Sequence, residues 1–388
     1  MKSWTSVEKM PIKLIYLITT LTHGGTERNL VQYCQALDKS KYDLEVWYLY
    51  DVENSQRGKI ESSGVRLRCL GASGGFKLRF LISAARELAR SGADIIHIFL
   101  PTVAYYGVAS KLLFRSRIPM LFSSGGVQLV LPFQLQMMKF GVGRYCHPII
   151  CNSNFVRNFW IEKGVDESRM RVICNGHDLQ KYEISETRDE LRTAYGIGPD
   201  DFFILSVGRL IASKRIPDLL KACSCLKESE DANIVLRIAG DGPEMDSLRR
   251  EAVEFNLNPD QVLLGNRKDV LKLMVAADVF AFPSESEGSP NAVIEAAFTK
   301  LPVVVSDIDP CREVIRDQES GLIFETGNVE QLRDGIRKIL HDREFGSRLA
   351  KAAYDSSLEK YELSATMAKL EQAYQIAMNP VLELERND

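Results

Sequence analysis

The sequence lacks most of the features that single out a special class of protein. No run of about 18 uncharged apolar residues occurs, which argues against a membrane-spanning helix. The opening MKSWTSVEKMPIKLIYLITT has no apolar stretch ending in a small-residue cleavage site, and the run from Ile12 reads as a first buried strand. No GxGxxG is present, which counts against a nicotinamide cofactor. Histidine is scarce, with five in all, and none of His23, His97, His147, His177 and His341 sits in a Ser or Cys nucleophile motif, so a hydrolase triad has no support. The eight cysteines are scattered along the chain, and Cys223-Ser-Cys225 is too tight for a metal pair without a second pair elsewhere. Reduced core thiols in a cytoplasmic protein are expected. Asp307-Ile-Asp309 has no third carboxylate or histidine close by in sequence to complete a hard-cation shell, so it reads as a loop with a capping role and no metal.

What is present points to a two-domain globular protein. A chain of 388 residues exceeds one ordinary core and suits two domains. Apolar content of 45% and charged content of 26% are those of a soluble protein, and a net charge of −3 gives no reason to expect nucleic-acid binding. The charge is unevenly spread. Between Arg66 and Ile150 eleven Lys and Arg face only Glu87 and Asp94, so that this segment is +9 and the rest of the chain −12.

Short apolar runs alternate with helical periodicity throughout. Strands are expected at Lys13–Thr19, Tyr42–Tyr48, Val65–Leu70, Ile95–Phe99, Met120–Ser123 and Ile149–Asn152, with helices over Glu27–Leu37, Lys77–Ser91, Val103–Phe114 and Asn154–Lys163. The pattern restarts at Phe203–Val207 and runs on through Ile234–Ala239, Val279–Phe282, Val303–Ser306 and Leu322–Phe324. This βαβα alternation predicts an α/β protein of two Rossmann-like, doubly wound domains facing a central cleft, with ligands at the carboxyl ends of the strands. The polar stretch Gln180–Asp200 reads as the linker. The domains are then 1–180 and 181–361, with a final helical segment, 362–388, crossing back to the first.

Several strand exits carry residues suited to a phosphorylated ligand. Gly24 and Gly25, after the first strand, let amides approach a phosphate or simply make a tight turn. Gly208, Arg209 and Lys214 follow Phe203–Val207; the two cations either grip a diphosphate or are solvated. Ala239-Gly-Asp-Gly-Pro-Glu244 alone reads as a turn. His23 and His97 reach the cleft unless His97 packs in the core. The stretch SESEGSPNAVIEAA, residues 284–297, contains a helix start with Gly288 at a sharp turn, Ser289 at the N-cap and Pro290 at the first helical position. Such a start is an anion site, yet Glu287 and Glu295 flank it.

Taken in order, these motifs resemble the GT4 family of retaining glycosyltransferases with the GT-B fold. The resemblance covers essentially the whole chain: Gly24-Gly25, Asn175-Gly-His-Asp178, Val207-Gly-Arg-Leu210 with Lys214, Ala239-Gly-Asp-Gly-Pro243, Leu264-Gly265, Ala277-Asp278-Val279-Phe-Ala-Phe-Pro283, and the E-x7-E pair Glu287 and Glu295. It implies a catalytic set of Glu287, Arg209 and Lys214. Glu287 lies by the donor sugar, while the two cations stabilise the leaving diphosphate. It also implies donor binding by Gly25, Gly208, Gly288, Ser289, Pro290, Asn291, Ala292 and Glu295, the last on the ribose hydroxyls. No metal or other cofactor is implied, because fixed cations and the helix dipole take that part. Two departures stand out. Phe122-Ser-Ser-Gly-Gly-Val127 replaces a histidine common in relatives, leaving Ser124 as a candidate sugar contact, and Asp309-Pro-Cys-Arg-Glu313 replaces a glycine-rich motif.

The resemblance implies a nucleotide-sugar donor, UDP-linked, and a saccharide or lipid-linked acceptor held by the first domain, for polysaccharide or glycoconjugate synthesis. The basic segment 66–150, interleaved with Phe76, Phe80, Phe114, Phe133 and Phe140, suggests an anionic membrane surface as a partner and a peripheral place at its inner face; the alternative is a solvated basic flank. Two other functions fit the sequence less well: a nucleotide-sugar epimerase of the same fold, which wants further acid and base histidines, and a non-catalytic nucleotide-sugar-binding subunit.

Overall fold

The strands that the chain buries most deeply are apolar on both faces, as parallel strands covered by helices must be. A computed structural model describes residues 10–22, 24–53, 55–72, 77–126 and 132–379. Its chain divides into two compact units: the first runs as far as His177 and resumes at Leu363, and the second is Asp178–Glu362.

In the first unit, strands β1 (Ile12–Ile18), β2 (Tyr42–Tyr48), β3 (Arg66–Cys69), β4 (Ile95–Phe99), β5 (Met120–Ser124), β6 (Ile149–Cys151) and β7 (Met170–Val172) form a seven-stranded sheet in the order β3-β2-β1-β4-β5-β6-β7. Every ladder is parallel. Leu14 to Ile18 of the central β1 have no exposed surface at all. The intervening helices are α1 (Gly25–Ala36), α2 (Leu78–Ala89), α3 (Pro101–Phe114) and α4 (Asn154–Glu162). Ala84 and Leu88 of α2, Val103 and Ala104 of α3, and Trp160 of α4 close one face of the sheet. Leu30 and Cys34 of α1 lie on the other.

The second unit repeats the plan. Strands β8 (Phe202–Val207), β9 (Ile234–Ala239), β10 (Leu263–Gly265), β11 (Val279–Phe282), β12 (Val303–Ser306) and β13 (Leu322–Phe324) form a six-stranded sheet in the order β10-β9-β8-β11-β12-β13, again all parallel. Helices α5 (Arg188–Ala194), α6 (Ile216–Ser229), α7 (Asn291–Phe298), α8 (Val329–His341) and α9 (Arg343–Tyr361) surround it. The last helix, α10 (Leu363–Met378), returns to the first unit: Leu363 N–H bonds the His177 carbonyl at 3.0 Å, and Met367, Leu370, Ala373 and Tyr374 pack into the core beside β1 and β2. The strand order reverses between β1 and β4 in one unit and between β8 and β11 in the other. In such sheets a ligand binds at the carboxyl ends of the strands flanking that reversal. All eight cysteines are free thiols, and no helix among the described residues is long and apolar enough to cross a membrane.

One expectation fails. The polar stretch Gln180–Asp200 is not a bare linker but contains α5, started by a capping box in which Thr187 and Glu190 exchange hydrogen bonds with each other's backbone N–H. Helix α5 is fastened to the second unit by charge. Asp278, just before β11, has a side chain only 6% exposed and pairs with Arg192 (5% exposed) at 3.1 Å and Arg188 at 2.6 Å. It also takes Arg343 of α9 and, at 2.7 Å, the Phe203 N–H of β8. Arg192 itself donates to the carbonyls of Ala276, Gly198 and Asp201. Burial alone would raise the Asp278 carboxyl, but the Phe203 N–H and Arg343, Arg188 and Arg192 outweigh it and hold the group below the ordinary carboxylate value.

Removing that charge strands a buried guanidinium. Asp278→Asn is expected to destabilise the second unit by about 3–5 kcal/mol, read as a lowered denaturant midpoint. Because the carboxyl is lower in the folded than in the unfolded chain, its contribution is complete above the ordinary carboxylate range. It is lost as the pH falls through the folded value. The variant should therefore unfold with less dependence on acid than the parent.

Candidate active site

The residues singled out in the second unit converge at the carboxyl ends of β8 and β11. From β8 the chain runs through Gly208, Arg209 and Leu210 to a short 3-10 turn, Ala212–Lys214, and enters α6 at Arg215, whose φ of 49° is left-handed. From β11 it runs through Pro283 and the buried Ser284 to Glu287. Backbone and hydroxyl bonds stitch the two exits together: Glu285 N–H to the Ser213 carbonyl at 2.9 Å, Ser284 Oγ to the same carbonyl at 3.3 Å, and Ser306 Oγ of β12 to the Ser284 carbonyl. Arg215 reaches Glu285 at 3.2 Å.

The result is a direct ion pair between Lys214 Nζ and Glu287, with side chains 16% and 13% exposed. Lys214 also lies 5.4 Å from the centre of the Phe282 ring, on β11. Cys311 is fully buried beside this pair; burial foremost, then the Glu287 charge, pushes its thiol far up, so it stays protonated. Arg209 is exposed, and among the described residues no acidic side chain pairs with it. It is the exposed cation of the set, and Lys214 the paired one.

A second pair of loops buttresses Arg209. Gly208 N–H bonds the Ala239 carbonyl at 3.1 Å, Leu210 N–H the Asp241 carbonyl at 2.9 Å, and Glu244 N–H the Leu210 carbonyl at 3.1 Å. This contact needs glycine on the β9 side. A Cβ on Gly240 would lie 1.8 Å from the Gly208 carbonyl oxygen, and one on Gly242 would lie 2.2 Å from that of Leu210. The Ala239–Glu244 segment, read from sequence as a turn, is therefore the support against which the Arg209 loop is set.

Just after Glu287 the chain turns into α7. The helix starts one residue later than expected: Pro290, with ψ of 72°, is the N-cap, not the first helical residue, and Ser289 lies outside. Pro290 has no side-chain oxygen to accept as a cap, and its carbonyl takes the N–H groups of Val293 and Ile294 at 2.9 and 3.2 Å. Asn291 N–H is drawn back to the Ser289 carbonyl at 2.9 Å. Among the described residues no backbone carbonyl takes the Ala292 N–H, one of the orphan donors of a helix start. Glu295 is half-buried on α7. It lies near Tyr182, whose phenol is pushed far up by burial first and then by the charges of Glu295 and Asp178.

The first unit treats its candidates differently. Gly24 is the N-cap of α1 and Gly25 its first residue, and the Glu27 carboxylate, bonded by Thr22 Oγ1 at 3.0 Å, folds back against Gly24. His97 is fully buried in β4, stacked on Phe99 with ring centres 4.0 Å apart. Its ring nitrogens meet Tyr374 Oη at 3.2 Å and Ser123 Oγ at 2.7 Å. Burial pushes it well below the ordinary histidine value, which keeps it neutral. It is a core residue and leaves the list of sugar contacts. Ser124, 2% exposed, accepts from Trp160 Nε1 at 2.9 Å and positions that indole, so it leaves the list as well. His23 lies outside the described residues. Asp307 is engaged by Arg312, and Asp309 opens the short helix Asp309–Arg312.

Two doubly wound parallel units, one of them setting a lysine–glutamate pair and a helix start at its strand exits, define a protein of the GT-B class. Comparison with known proteins agrees. Residues 187–356 match the family model for glycosyl transferases group 1, and residues 23–181 that for glycosyltransferase family 4. The chain belongs to the GT4-type glycosyltransferases. It is 30% identical to an Escherichia coli UDP-Gal:alpha-D-GlcNAc-diphosphoundecaprenol alpha-1,3-galactosyltransferase over 50% of this chain and 51% of that one. It is equally similar to a Methanocaldococcus jannaschii glycosyltransferase over 55% of each. These matches span about half the length of the relatives concerned. A Campylobacter jejuni N-acetylgalactosamine-N,N'-diacetylbacillosaminyl-diphospho-undecaprenol 4-alpha-N-acetylgalactosaminyltransferase is 27% identical over 85% of this chain and 90% of that one. Among solved structures, Anabaena Alr3699/HepE in complex with UDP superposes with a TM-score of 0.82 over 94% of this chain and all of that one at 18% identity, a likeness of fold.

Gly242→Ala places a methyl group against a backbone oxygen that cannot yield, so the Arg209 loop must shift. The variant is expected to keep its fold by circular dichroism and to lose about 1–3 kcal/mol of stability, read as a lowered denaturant midpoint.

Proposed function

We propose that the protein is a retaining glycosyltransferase. It moves a sugar from a UDP-linked donor to a saccharide or lipid-linked acceptor in polysaccharide or glycoconjugate synthesis. The observation that carries this reading is the Lys214–Glu287 pair, held at two strand exits immediately before the start of α7. The names of the relatives support it, since the E. coli protein uses UDP-Gal and the E. coli and C. jejuni proteins both act on diphosphoundecaprenol-linked sugars.

In this reading the α7 start, from Gly288 through Ala292, receives the diphosphate on its free amide and on the positive end of the helix dipole. Glu295, more than a turn further along α7, accepts from the ribose hydroxyls, and Gly208 lets the backbone approach the phosphates. Arg209 and Lys214 carry the charge that develops on the leaving diphosphate. Lys214 must loosen its hold on Glu287 to do so, which frees that carboxylate for hydroxyls of the donor sugar. Binding of the donor thus exchanges one ion pair for two new contacts and leaves neither group uncompensated. Attack occurs on the face from which the diphosphate departs, through an oxocarbenium-like ion pair, so no separate protein base is required. With the charge carried by side chains and amides, no metal is required. Gly25 stays with the donor set on the strength of the family resemblance, and acceptor recognition falls to the first unit. The protein works in the cytoplasm, peripheral to an anionic membrane surface met by the basic 66–150 segment.

A panel of nucleotide-sugars, scored by thermal shift and by slow donor hydrolysis, tests the reading; no response to any donor overturns it. Lys214→Ala and Arg209→Ala are each expected to lower kcat by an amount on the order of 3–4 kcal/mol of barrier. Glu295→Ala should chiefly weaken donor binding. Turnover in EDTA should equal that in magnesium, and a loss in EDTA restored by magnesium would reject the metal-free mechanism.

A further inference from the structure

One helical layer of the first unit carries most of the exposed apolar bulk among the described residues. Leu78 is 63% exposed, Leu112 60%, Leu113 55%, Phe133 56% and Phe140 70%. All five lie on α2, α3 or the helical stretch 132–142 that follows β5. Single exposed leucines need no explanation, but a contiguous set does. These elements are neighbours. Phe80 of α2 meets Tyr106 of α3 edge-on at 5.6 Å, and Arg86 lies over the Phe114 ring at 5.5 Å, so the two helices run side by side in the same direction. On the other flank of α3, Tyr105 lies 6.3 Å from Phe133, and Gly141 abuts Val108 so closely that a Cβ would come within 3.3 Å. Leu112 and Leu113 close α3, and Phe140 lies beside its second half.

The charge on this layer is of one sign. Arg66 and Arg68, which add to the basic count of the segment, are neutralised on the sheet edge by Asp43, Glu45 and Glu87. The remaining acid, Asp94, accepts the Lys13 N–H at 2.8 Å. Among the described residues no acidic side chain pairs with Arg79, Arg90, Arg115, Arg117 or Lys139. A second copy of the chain brought to this face would present the same cations to each other. A negatively charged lipid surface takes both features at once, with cations at the phosphates and apolar tips at the acyl boundary.

We infer that the layer formed by α2, α3 and residues 132–142 docks on an anionic bilayer, with Leu112, Leu113 and Phe140 entering the interface and Arg115, Arg117 and Lys139 meeting lipid phosphates. This rests on the membrane partner of the proposed function and gives it a defined face. The test is flotation of the whole protein with vesicles of equal parts phosphatidylglycerol and phosphatidylcholine, against phosphatidylcholine alone, without any nucleotide-sugar. Binding is expected on the anionic vesicles only and is expected to weaken with salt. Arg115→Gln and Arg117→Gln should each reduce it about fivefold, and the triple variant Leu112→Glu, Leu113→Glu, Phe140→Glu should abolish it. Val253→Glu, which alters an equally exposed side chain in the second unit, should leave binding unchanged. Circular dichroism confirms that each variant is folded. Equal binding to neutral vesicles, no binding, or binding indifferent to the triple variant overturns the inference. So does self-association of the parent that the triple variant removes. Because donor hydrolysis is measured separately, a protein that floats but turns over no donor refutes the enzymatic reading and leaves this face standing.

Discussion

The second unit depends on one carboxylate. Asp278 stands at the amino end of β11 and accepts the Phe203 N–H from β8, so it ties together the two strands whose opposite ends carry Glu287 and Arg209. Three guanidiniums converge on the same group, from α5 and from α9. A lone buried carboxylate would be strongly disfavoured; here its two oxygens accept from three guanidiniums and one backbone N–H. The strands cannot slide against one another without breaking that set. Register at one end of the sheet therefore becomes position at the other, where Arg209 and Glu287 emerge.

At those strand exits the same economy appears in another form. Lys214 and Glu287 are both largely buried and satisfy each other, while Arg209 is left in solvent on a loop that two glycines allow to rest directly on its neighbour's backbone. The paired and the exposed cation thus have separate mechanical origins. Lys214 is held by Glu287, beside the Ser213 carbonyl that takes bonds from Ser284 and Glu285, whereas among the described residues the Arg209 loop is held through its main chain.

Much of this was legible in the residues. The alternation of buried strands and helices was clear because parallel strands covered on both faces are continuous apolar runs, as IKLIYLI in β1 and FFILSV in β8. In the second unit Gly208, Arg209 and Lys214 were marked by following a strand directly, whereas Glu287 and Glu295 stood out through the spacing of the family resemblance. Other features were not. Helix α5 hid in a polar stretch, although Thr187 and Glu190 at capping-box spacing marked its start; its anchor, Asp278, lies far away in sequence, so nothing local showed that the segment was held. Pro290 read as a first helical residue because proline is common there, and only its ψ assigns it to the cap. His97 is a site candidate by its place at a strand end, and Ser124 by standing where relatives carry a histidine. Their partners Tyr374, Ser123 and Trp160 show that a strand-end polar side chain can equally be packed inward, which periodicity cannot distinguish.

The return of α10 to the first unit has a consequence for synthesis. Tyr374 joins Tyr16 by a 2.8 Å hydroxyl contact in the core beside β1, and that core stays open on one side until residues beyond 370 have been made. The second unit, Asp178–Glu362, is a continuous segment and is whole before then. On the ribosome the order of completion is thus reversed relative to the order of translation: the first sheet to emerge must wait, with an apolar face uncovered, for the last helix to arrive. Chaperone demand should accordingly fall on the amino-terminal unit, which is also the one with the stickier surface.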